Sequence, residues 1–441
     1  MNIRQLALQI IHDVDVKQAY ANIALAHMIN RHSLSDQDRR FLTELVYGTV
    51  KTWGTLDWIL SAYADRPPAK MPPMIRNILR LGLYQLFFLN RVPASAACNQ
   101  AVELAKKYGH AGTAKFVNAV LRSAARQPEK AAYPDRESDP ARHLALTYFH
   151  PQWLVDRWLK RLGTDAAEQL LAANNQTPLL SLRTNTLKTT RQELLNRLGE
   201  EGVTAAPSLW TPEGIVCREY PSLGSLASLK QGLFQVQDES SMLVAHVMDP
   251  RPGEFIIDAC AAPGGKSTHL AALMHNQGQI LAVDLFDHKI ALLNENAARL
   301  GISCIRTLAA DATALSGQFA GKADRVLVDA PCSGLGVLRR KPDSRWRKNE
   351  TQLRELPQLQ AAILADASLC VKPGGILVYS TCTTEPEENE CVVKRFLTAN
   401  PQFSLQAAGS RLPSPRQQDL VQLWPHLDGV DGFFIARMVR G

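Results

Sequence analysis

Apolar residues recur at helical spacing through the first 128 positions of the chain. Leu6, Ile10 and Val14 fall on one face of a helix. Ser35 precedes a second apolar run and has an acidic residue three positions later, which predicts a capped helix start. Further helical segments are predicted at 55–64, 73–89, 94–108 and 112–126. Because strand-type alternation is absent here, residues 1–130 are predicted to form an all-helical domain.

The pattern changes after residues 127–140, a polar, proline-containing segment that we interpret as a linker. Residues 145–250 mix helical segments with short strands such as 179–183, and they predict a small α+β module. From 251 to 441 apolar strands alternate with helices of crossover length. Candidate strands lie at 254–260, 279–285, 304–311, 324–329, 375–381 and 433–438. The last domain is therefore predicted to be α/β, with a doubly wound parallel sheet.

Composition and charge narrow the class of protein. The 441 residues are 46% hydrophobic and 21% charged, which predicts a packed core and excludes a disordered chain. The net charge of +7 resides in residues 1–150, which hold 19 Lys/Arg and 12 Asp/Glu. A basic excess in one domain favours a nucleic-acid-facing surface, with a solvated basic face as the alternative.

The sequence lacks the signals of an exported, membrane or metal-binding protein. No apolar run reaches transmembrane length, and the first residues contain no signal-peptide core. We therefore expect a cytoplasmic protein whose eight cysteines are mostly reduced. These cysteines form no CxxC pair and no Cys/His cluster with zinc spacing, so no metal is expected.

The first strand of the predicted sheet runs into a glycine turn at 258–268 (DACAAPGGKST). A strand, a glycine turn and a helix in this order are typical of nucleotide-cofactor sites, although an ordinary βα turn is the alternative. Asp284 ends the second strand and could accept hydrogen bonds from both hydroxyls of a ribose, and Asp311 closes the third and could accept from an adenine amino group. Pro263 interrupts the GxGxxG spacing that a dinucleotide needs. The loop therefore favours S-adenosylmethionine, whose carboxylate Lys266 could meet.

Two cysteines directly follow strand-type segments, Cys332 in VDAPCS and Cys382 in VYSTCT. Each should lie at the carboxyl end of a parallel strand, where open α/β sheets bind ligands. A thiolate that adds to C6 of cytosine makes C5 able to accept a methyl group, so thiols beside this cofactor suggest cytosine-C5 methylation. Asp329, three residues before Cys332, could hydrogen-bond the N3/N4 edge of the base. The pattern alone leaves open which cysteine is the nucleophile.

Three motifs carry a resemblance to a known family: DACAAPGGK (258–266), DAPCSG (329–334) and STC (380–382) followed by PEEN (386–389). They resemble the RNA cytosine-C5 methyltransferases of the NOL1/NOP2/Sun class. With the helical region before them, they resemble the RsmB (Fmu or Sun) branch, which modifies bacterial 16S ribosomal RNA. The resemblance covers essentially the whole chain. It implies a NusB-like RNA-binding domain at 1–130 and a Rossmann-like methyltransferase domain at 251–441.

The same resemblance implies roles for individual residues. Cys382 would be the nucleophile and Cys332 would assist release of the covalent adduct, whereas the analogy with DNA cytosine methyltransferases would make Cys332 the nucleophile. Cofactor contacts are implied for Cys260, Ala261, Ala262, Pro263, Gly264, Gly265, Lys266, Asp284, Asp311 and Asp329. The catalytic set is implied to be Cys382, Cys332 and Asp329.

Candidate RNA contacts lie in two regions. The first is the basic stretch at 337–348, whose cations and aromatic residue suit phosphate contacts and base stacking, with a solvated loop as the alternative. The second is the segment 183–185, which resembles family positions near the target nucleotide. The residues concerned are Arg339, Arg340, Lys341 and Trp346 in the first region and Arg183 and Asn185 in the second.

The leading hypothesis is a monomeric enzyme that forms 5-methylcytosine in 16S ribosomal RNA. Transfer RNA or DNA could be the substrate of the same chemistry, although the helical domain disfavours DNA. A non-catalytic RNA-binding or assembly factor is an alternative, but such a protein needs neither thiol. An NAD-dependent oxidoreductase is a third, and the missing GxGxxG spacing counts against it.

Overall fold

The computed structural model describes residues 2–441, which divide into two compact units. The first unit runs to Gln176 and also includes Leu338–Arg347. The second contains Thr177–Val337 and Lys348–Gly441. The predicted fold class is confirmed, since an all-helical domain, a small α+β sheet and a larger mixed α/β sheet are all present. In the described part of the chain, no helix combines the length and the apolar character needed to span a bilayer.

The first unit is helical, as the spacing of apolar residues predicts. Its helices are α1 (Ile3–Val16), α2 (Ala21–Arg31), α3 (Asp36–Lys51), α4 (Trp53–Ser61), α5 (Pro73–Phe88), α6 (Ala94–Tyr108), α7 (Ala111–Arg126), α8 (Pro140–Thr147), α9 (Gln152–Leu162) and α10 (Thr164–Ala173). Short 3-10 turns lie at Pro68–Lys70 and Pro128–Ala131. Ser35 caps α3 by accepting a hydrogen bond from the Asp38 amide, as predicted. The apolar faces of α1–α7 form one core.

Helices α8–α10 lie near residue 145, where the sequence prediction begins the middle module, and that boundary remains a prediction. The structure assigns them to the first unit. The hydroxyl of Thr55 in α4 donates to the Leu146 carbonyl of α8 at 2.8 Å, and Trp158 of α9 is completely buried. The first of these contacts joins α8 to α4 within the first unit.

The second unit begins with a four-stranded antiparallel sheet of order β2-β3-β1-β4. Its elements are β1 (Leu180–Thr184), α11 (Arg191–Glu200), β2 (Thr204–Pro207), β3 (Gly214–Glu219), α12 (Ala227–Lys230) and β4 (Phe234–Val236), followed by α13 (Glu239–Met248). Thr190 and Glu193 form a capping box at the start of α11. Leu182, Leu198 and Phe234 lie in the core between sheet and helix.

The large sheet has the order β10-β12-β9-β8-β5-β6-β7, with β11 paired to β12. Its elements are β5 (Phe255–Asp258), α14 (Gly265–Leu273), β6 (Gln279–Asp284), α15 (Asp287–Leu300), β7 (Ile305–Ala309), α16 (Ser316–Phe319), β8 (Ala323–Asp329), α17 (Ser344–Arg347), α18 (Glu350–Leu369), β9 (Val371–Thr381), α19 (Glu390–Ala399), β10 (Phe403–Gln406), β11 (Leu420–Leu423), α20 (Pro425–Asp428) and β12 (Phe433–Arg440). Strands β9, β8, β5, β6 and β7 are parallel. Strand β12 pairs antiparallel with β9, β10 and β11, so the sheet is mixed rather than parallel throughout as predicted. All six predicted strands are present, and Ile256 and Ile257 show why they read as apolar runs, since successive residues enter the cores on opposite faces.

The short helix α17 belongs to the first unit although its sequence lies between strands of the second. Arg345 is completely buried and donates to the Phe149 carbonyl at 2.9 Å. The Trp346 indole donates to the Val50 carbonyl at 2.7 Å, and its ring lies so close to Gly54 that an added Cβ would be 2.7 Å away. These contacts fix the segment within the helical unit.

Candidate active site at the carboxyl ends of the parallel strands

The two predicted cysteines lie side by side. Strands β8 and β9 are parallel neighbours, with Asp329 opposite Ser380, so the loops that follow them start at the same edge of the sheet. The Sγ atoms of Cys332 and Cys382 are 3.3 Å apart, and both residues are partly buried. Cys382 directly follows β9 as predicted, whereas Cys332 lies three residues beyond β8, in the loop that starts at the same edge of the sheet.

An ion pair between Lys266 and Asp329 lies beside the cysteines and places a positive charge near Cys382. Nζ of Lys266 donates to Oδ2 of Asp329 at 2.7 Å, and the Ser380 hydroxyl donates to Oδ1 at 2.8 Å. Burial lowers the pKa of Lys266, but the charges of Asp329 and Cys382 more than offset this, so its pKa is raised and it stays cationic. A cation beside Cys382 favours the thiolate form of that cysteine.

Cys332 has the opposite character. Its hydrogen bond with Cys382 and its burial raise the pKa of the Cys332 thiol well above 9.0. Two thiols this close share one ionisation, because two thiolates would repel each other. The arrangement therefore favours a neutral Cys332 that donates its S–H to the Cys382 sulfur.

The glycine turn joins β5 to α14 in a shape that requires a glycine at position 264. Gly264 has φ +96°, a left-handed conformation that L side chains rarely adopt, and an added Cβ would lie 2.7 Å from the Leu293 side chain. Before the turn, Asp258 is completely buried and accepts from the Ser267 hydroxyl at 2.7 Å. Burial raises the pKa of Asp258 to about 7.

Asp284 retains the acceptor capacity that a ribose would need. Its Oδ1 accepts from the Phe286 amide at 3.2 Å and its Oδ2 from the Ala262 amide at 3.3 Å, so each oxygen has a further lone pair. Nζ of Lys289 lies 3.7 Å from Oδ1, too far for a hydrogen bond. The adjacent side chains of Leu285 and Phe286 are 60% and 47% exposed, which provides an apolar surface suited to a purine ring. The residues present fit an adenosine group.

Asp311 differs from its predicted position. Strand β7 ends at Ala309, so Asp311 lies two residues beyond the strand, in an exposed turn. The amide and hydroxyl of Thr313 donate to its Oδ1 at 2.9 and 2.8 Å and lower the pKa of its carboxyl. Its other oxygen could still accept a hydrogen bond from an adenine amino group.

Arg183 and Asn185 do not have the positions expected of RNA contacts, because the structure places both side chains in the interior. Arg183 donates to Gln237, to the Gly265 carbonyl at 2.5 Å and to the Thr268 hydroxyl at 2.9 Å. It therefore holds the first turn of α14. Asn185 donates to the Gly232 and Leu300 carbonyls, both at 2.8 Å, and joins two chain segments.

The basic stretch after Cys332 divides into two parts. Trp346 packs within the helical unit, and this packing accounts for the tryptophan without base stacking. Lys341 is exposed, while Arg339 and Arg340 are partly buried. The RNA contacts of these three cations remain a prediction.

A buried polar cluster was missed by the sequence analysis. Glu213, before β3, accepts from His246 of α13 at 2.9 Å, and Nε2 of His269 in α14 lies 2.9 Å from the same oxygen. Burial lowers the pKa of His269 to about 4, with Arg183 adding to the effect. Burial raises the pKa of Glu213, but its histidine partners outweigh this and hold it low. The three residues are 33 and 23 positions apart, so no sequence spacing signals the cluster.

The cluster has a donor set that could hold a metal, since its three ligand atoms lie within 4.8 Å of one another. The neighbouring guanidinium of Arg183 already provides a positive charge for Glu213, and burial lowers the pKa of Arg183 only to about 9. We therefore interpret the cluster as a charge-balanced support for α14.

Comparisons with known proteins cover the chain from end to end. Residues 1–126 match the NusB family, residues 150–222 match the ferredoxin-like domain of RsmF/B-like methyltransferases, and residues 245–439 match 16S rRNA methyltransferase RsmB/F. A Bacillus subtilis protein, "Probable ribosomal RNA small subunit methyltransferase B", is 41% identical over 99% of this chain and 98% of its own. "Ribosomal RNA small subunit methyltransferase B" of Klebsiella pneumoniae is 34% identical over 100% of this chain and 98% of its own.

Solved structures agree with these matches. The crystal structure of PH0851 has a TM-score of 0.86 and 29% identity, and the match covers 99% of both chains. NSun6 from Pyrococcus horikoshii, crystallised with SFG, has a TM-score of 0.60 and 25% identity, with 66% of this chain and 98% of that chain covered. The first match supports the whole fold described above.

Proposed function

Because the chain belongs to the ribosomal RNA small subunit methyltransferase B family, we propose that it methylates carbon 5 of a cytosine in 16S ribosomal RNA with S-adenosylmethionine as methyl donor. The observation that carries the cytosine-C5 assignment is the pair of sulfurs 3.3 Å apart beside Lys266 and Asp329. An RNA-binding scaffold would need neither thiol, and most other base methylations would need no covalent nucleophile.

When bound, S-adenosylmethionine supplies an electrophilic methyl group. The loop from Cys260 to Gly265, the acceptor Asp284 and the exposed surface of Phe286 would hold its adenosine, with Asp311 at the adenine edge. The NSun6 relative was crystallised with SFG, an analogue of this cofactor, which supports the assignment. Lys266, expected at the cofactor carboxylate, instead bonds Asp329, so we assign its charge to the cysteine side of the site.

The charges around the cysteines support Cys382 as nucleophile. Its thiolate, favoured by the Lys266 cation, would add to C6 of the cytosine. The electron pair displaced to C5 would then form the new bond to the methyl group, while the bond between the methyl group and the cofactor sulfur breaks. Loss of the C5 proton then re-forms the C5–C6 double bond and expels the Cys382 thiolate. The neutral thiol of Cys332 can donate its S–H to that departing sulfur, which would assist release. Asp329 can meet the N3/N4 edge of the base.

The helical unit supports binding to RNA. Helix α7 has no acidic residue, and its exposed cations Lys115, Arg122 and Arg126 are seven and four positions apart, which places them on one face. A row of cations at this spacing suits contacts to successive phosphates. We propose this face, with Lys341 of the basic stretch, as part of the RNA-binding surface.

The test is methyl transfer from labelled S-adenosylmethionine to deproteinised 16S rRNA, 30S particles and tRNA, with the product nucleoside identified. Labelled 5-methylcytosine in 16S rRNA is expected. Cys382→Ser should abolish turnover with unchanged cofactor binding, and Cys332→Ala should accumulate a denaturant-resistant RNA adduct. An adduct in Cys382→Ser and none in Cys332→Ala would instead assign the nucleophile to Cys332. No methylation of any substrate and no cofactor binding would favour the scaffold alternative.

A further inference from the structure

The PEEN motif, which the proposed reaction does not use, lies against the segment around Cys332. Glu388 is completely buried, and its Oε2 accepts from the Ser333 amide at 2.8 Å. The same oxygen accepts from Nε2 of Gln360 at 3.0 Å, and this amide group also donates to the Pro331 carbonyl at 3.0 Å. One carboxylate and one amide therefore hold the backbone on both sides of Cys332.

The next residue, Asn389, holds the segment around Cys382 in a similar way. Its Oδ1 accepts from the Thr381 hydroxyl at 2.5 Å, and its Nδ2 donates to the Thr383 carbonyl at 3.0 Å. The same Nδ2 donates to Oε1 of Gln422 in β11 at 2.9 Å. Because Thr381 and Thr383 flank Cys382, both sides of this cysteine are also fixed.

The two held segments are bonded to each other and to the motif. The hydroxyls of Ser333 and Thr383 are 2.8 Å apart. The completely buried Tyr379 donates to the Glu388 carbonyl at 2.6 Å, which fixes the backbone of the motif itself. A buried network of this kind changes shape only if several bonds break together, so it limits the relative movement of the two cysteine loops.

We propose that Glu388 and Asn389 are positioning residues that set the spacing between the Cys332 and Cys382 sulfurs, each holding the segment of one cysteine. The consequence for turnover rests on the proposed two-cysteine reaction, whereas the consequence for the spacing does not. Removal of the Glu388 contacts should displace Cys332 and impair release of the adduct. Removal of the Asn389 donor should displace Cys382 and impair formation of the adduct.

Variants of nearly the same shape distinguish the effect of lost hydrogen bonds from the effect of lost side-chain volume. Glu388→Gln keeps an amide oxygen that can accept from Ser333, and burial already raises the pKa of Glu388, so the neutral side chain is a close substitute. Asn389→Asp keeps the acceptor for Thr381 but loses the donor to Thr383. Glu388→Ala removes the carboxylate. The exposed neighbour Glu390 provides a matched control as Glu390→Ala.

The first measurement is independent of catalysis. Diamide oxidises two neighbouring thiols to a disulfide and is itself reduced to the hydrazine, with both thiol protons transferred to it. The Cys332–Cys382 disulfide is quantified by mass spectrometry after digestion. Since the rate depends on how the sulfurs are aligned, Glu388→Ala and Asn389→Asp should be slower by about tenfold, and Glu388→Gln and Glu390→Ala should match the parent protein. Unchanged rates in Glu388→Ala and Asn389→Asp would overturn the inference.

The second measurement compares turnover with the covalent RNA adduct. Glu388→Ala should turn over slowly and accumulate adduct, whereas Asn389→Asp should form little adduct, and both should bind S-adenosylmethionine normally. Parallel losses of turnover, adduct and cofactor binding in both variants would contradict separate roles and indicate a general structural defect. If the parent protein makes no 5-methylcytosine while the disulfide rates fall as expected, the proposed function fails and the positioning role stands.

Discussion

Arg183→Met should weaken cofactor binding rather than RNA binding. Arg183 belongs to β1, and its guanidinium donates to Gln237, the Gly265 carbonyl and the Thr268 hydroxyl. It therefore connects the small sheet to the first turn of α14. Methionine has a similar length and no hydrogen-bond donor. The substitution therefore removes the contacts that hold the glycine turn and leaves the volume of the side chain nearly unchanged.

The cost can be worked out from the groups left behind. Gln237 would lose its donor, and an unpaired buried acceptor costs about 1–3 kcal/mol. The Gly265 carbonyl would keep the Thr268 hydroxyl as a donor at 3.2 Å. Thr268 keeps its own bond to the Gly264 carbonyl at 2.7 Å. Removing the buried cation also removes its desolvation cost, which is large enough to lower the pKa of Arg183 to about 9. The substitution also removes the cation that balances the charge of Glu213, which adds to the cost. A net loss of about 2–3 kcal/mol follows, which for a unit of this size lowers Tm by about 5–10 °C.

The assay is titration calorimetry with S-adenosylmethionine, accompanied by RNA binding and thermal unfolding. If about half of the loss appears at the glycine turn, Kd for the cofactor rises by about tenfold. Arg325→Met is the matched control, because Arg325 is also buried but bonds Glu254 and the Met248 carbonyl, remote from the glycine turn. It should lower Tm without changing cofactor affinity. Unchanged cofactor affinity with weakened RNA binding in Arg183→Met would contradict a role in the glycine turn and would assign Arg183 to RNA binding, as the sequence predicted.

Three further predictions concern charge and stability. The folded-state pKa of His269 is lowered to about 4, so the unfolded chain takes up the proton first, and stability present above pH 6.5 is lost as the pH falls toward 4. In His269→Gln this loss of stability, measured by urea unfolding, should be smaller by about 3 kcal/mol than in the exposed control His288→Gln. An unchanged dependence of stability on pH would contradict the prediction. The Glu213 cluster should need no metal, so dialysis against EDTA should not change Tm, and a loss that zinc restores would show the opposite. Replacing Lys115, Arg122 and Arg126 together by Gln should reduce the salt dependence of RNA binding, by a slope of about 2–3, with unchanged cofactor affinity, and an unchanged slope would exclude this face.

The sequence could predict those parts of the site whose functional residues lie together in short motifs. The glycine turn and Cys382 directly follow strands, and Cys332 lies three residues after one. Parallel strands bring their carboxyl ends to one edge, so local motifs sufficed to place Lys266, Cys332 and Cys382 there. The six strands were found because the central sheet is buried on both faces and its strands are continuous apolar runs. Their ends differ from the prediction by at most four residues, since turns rather than hydrophobicity decide where pairing stops.

The remaining features depend on contacts between distant segments. Arg183 looks like a surface cation in the sequence, and only the fold shows that it is inserted beneath α14. Trp346 among six cations suggests RNA stacking, yet its indole is bonded to Val50, nearly 300 positions earlier. The cluster around Glu213 and the contacts of Glu388 are likewise formed by residues with no common period. The spacing of residues in the sequence predicts one helix or strand at a time, whereas these contacts form only when three or more helices or strands pack together.

The segment Leu338–Arg347 has a consequence for synthesis of the protein on the ribosome. It completes the first unit, but the nascent chain must be extended through residues 177–337 before the segment is made. At about 5–20 residues per second, the interval between residues 176 and 347 is on the order of 10–30 s. Throughout that time the Val50 carbonyl and the surface of Gly54 lack the tryptophan that covers them in the finished protein. The helical unit, although it is translated first, can reach its final packing only after the strands from β1 to β8 have been translated.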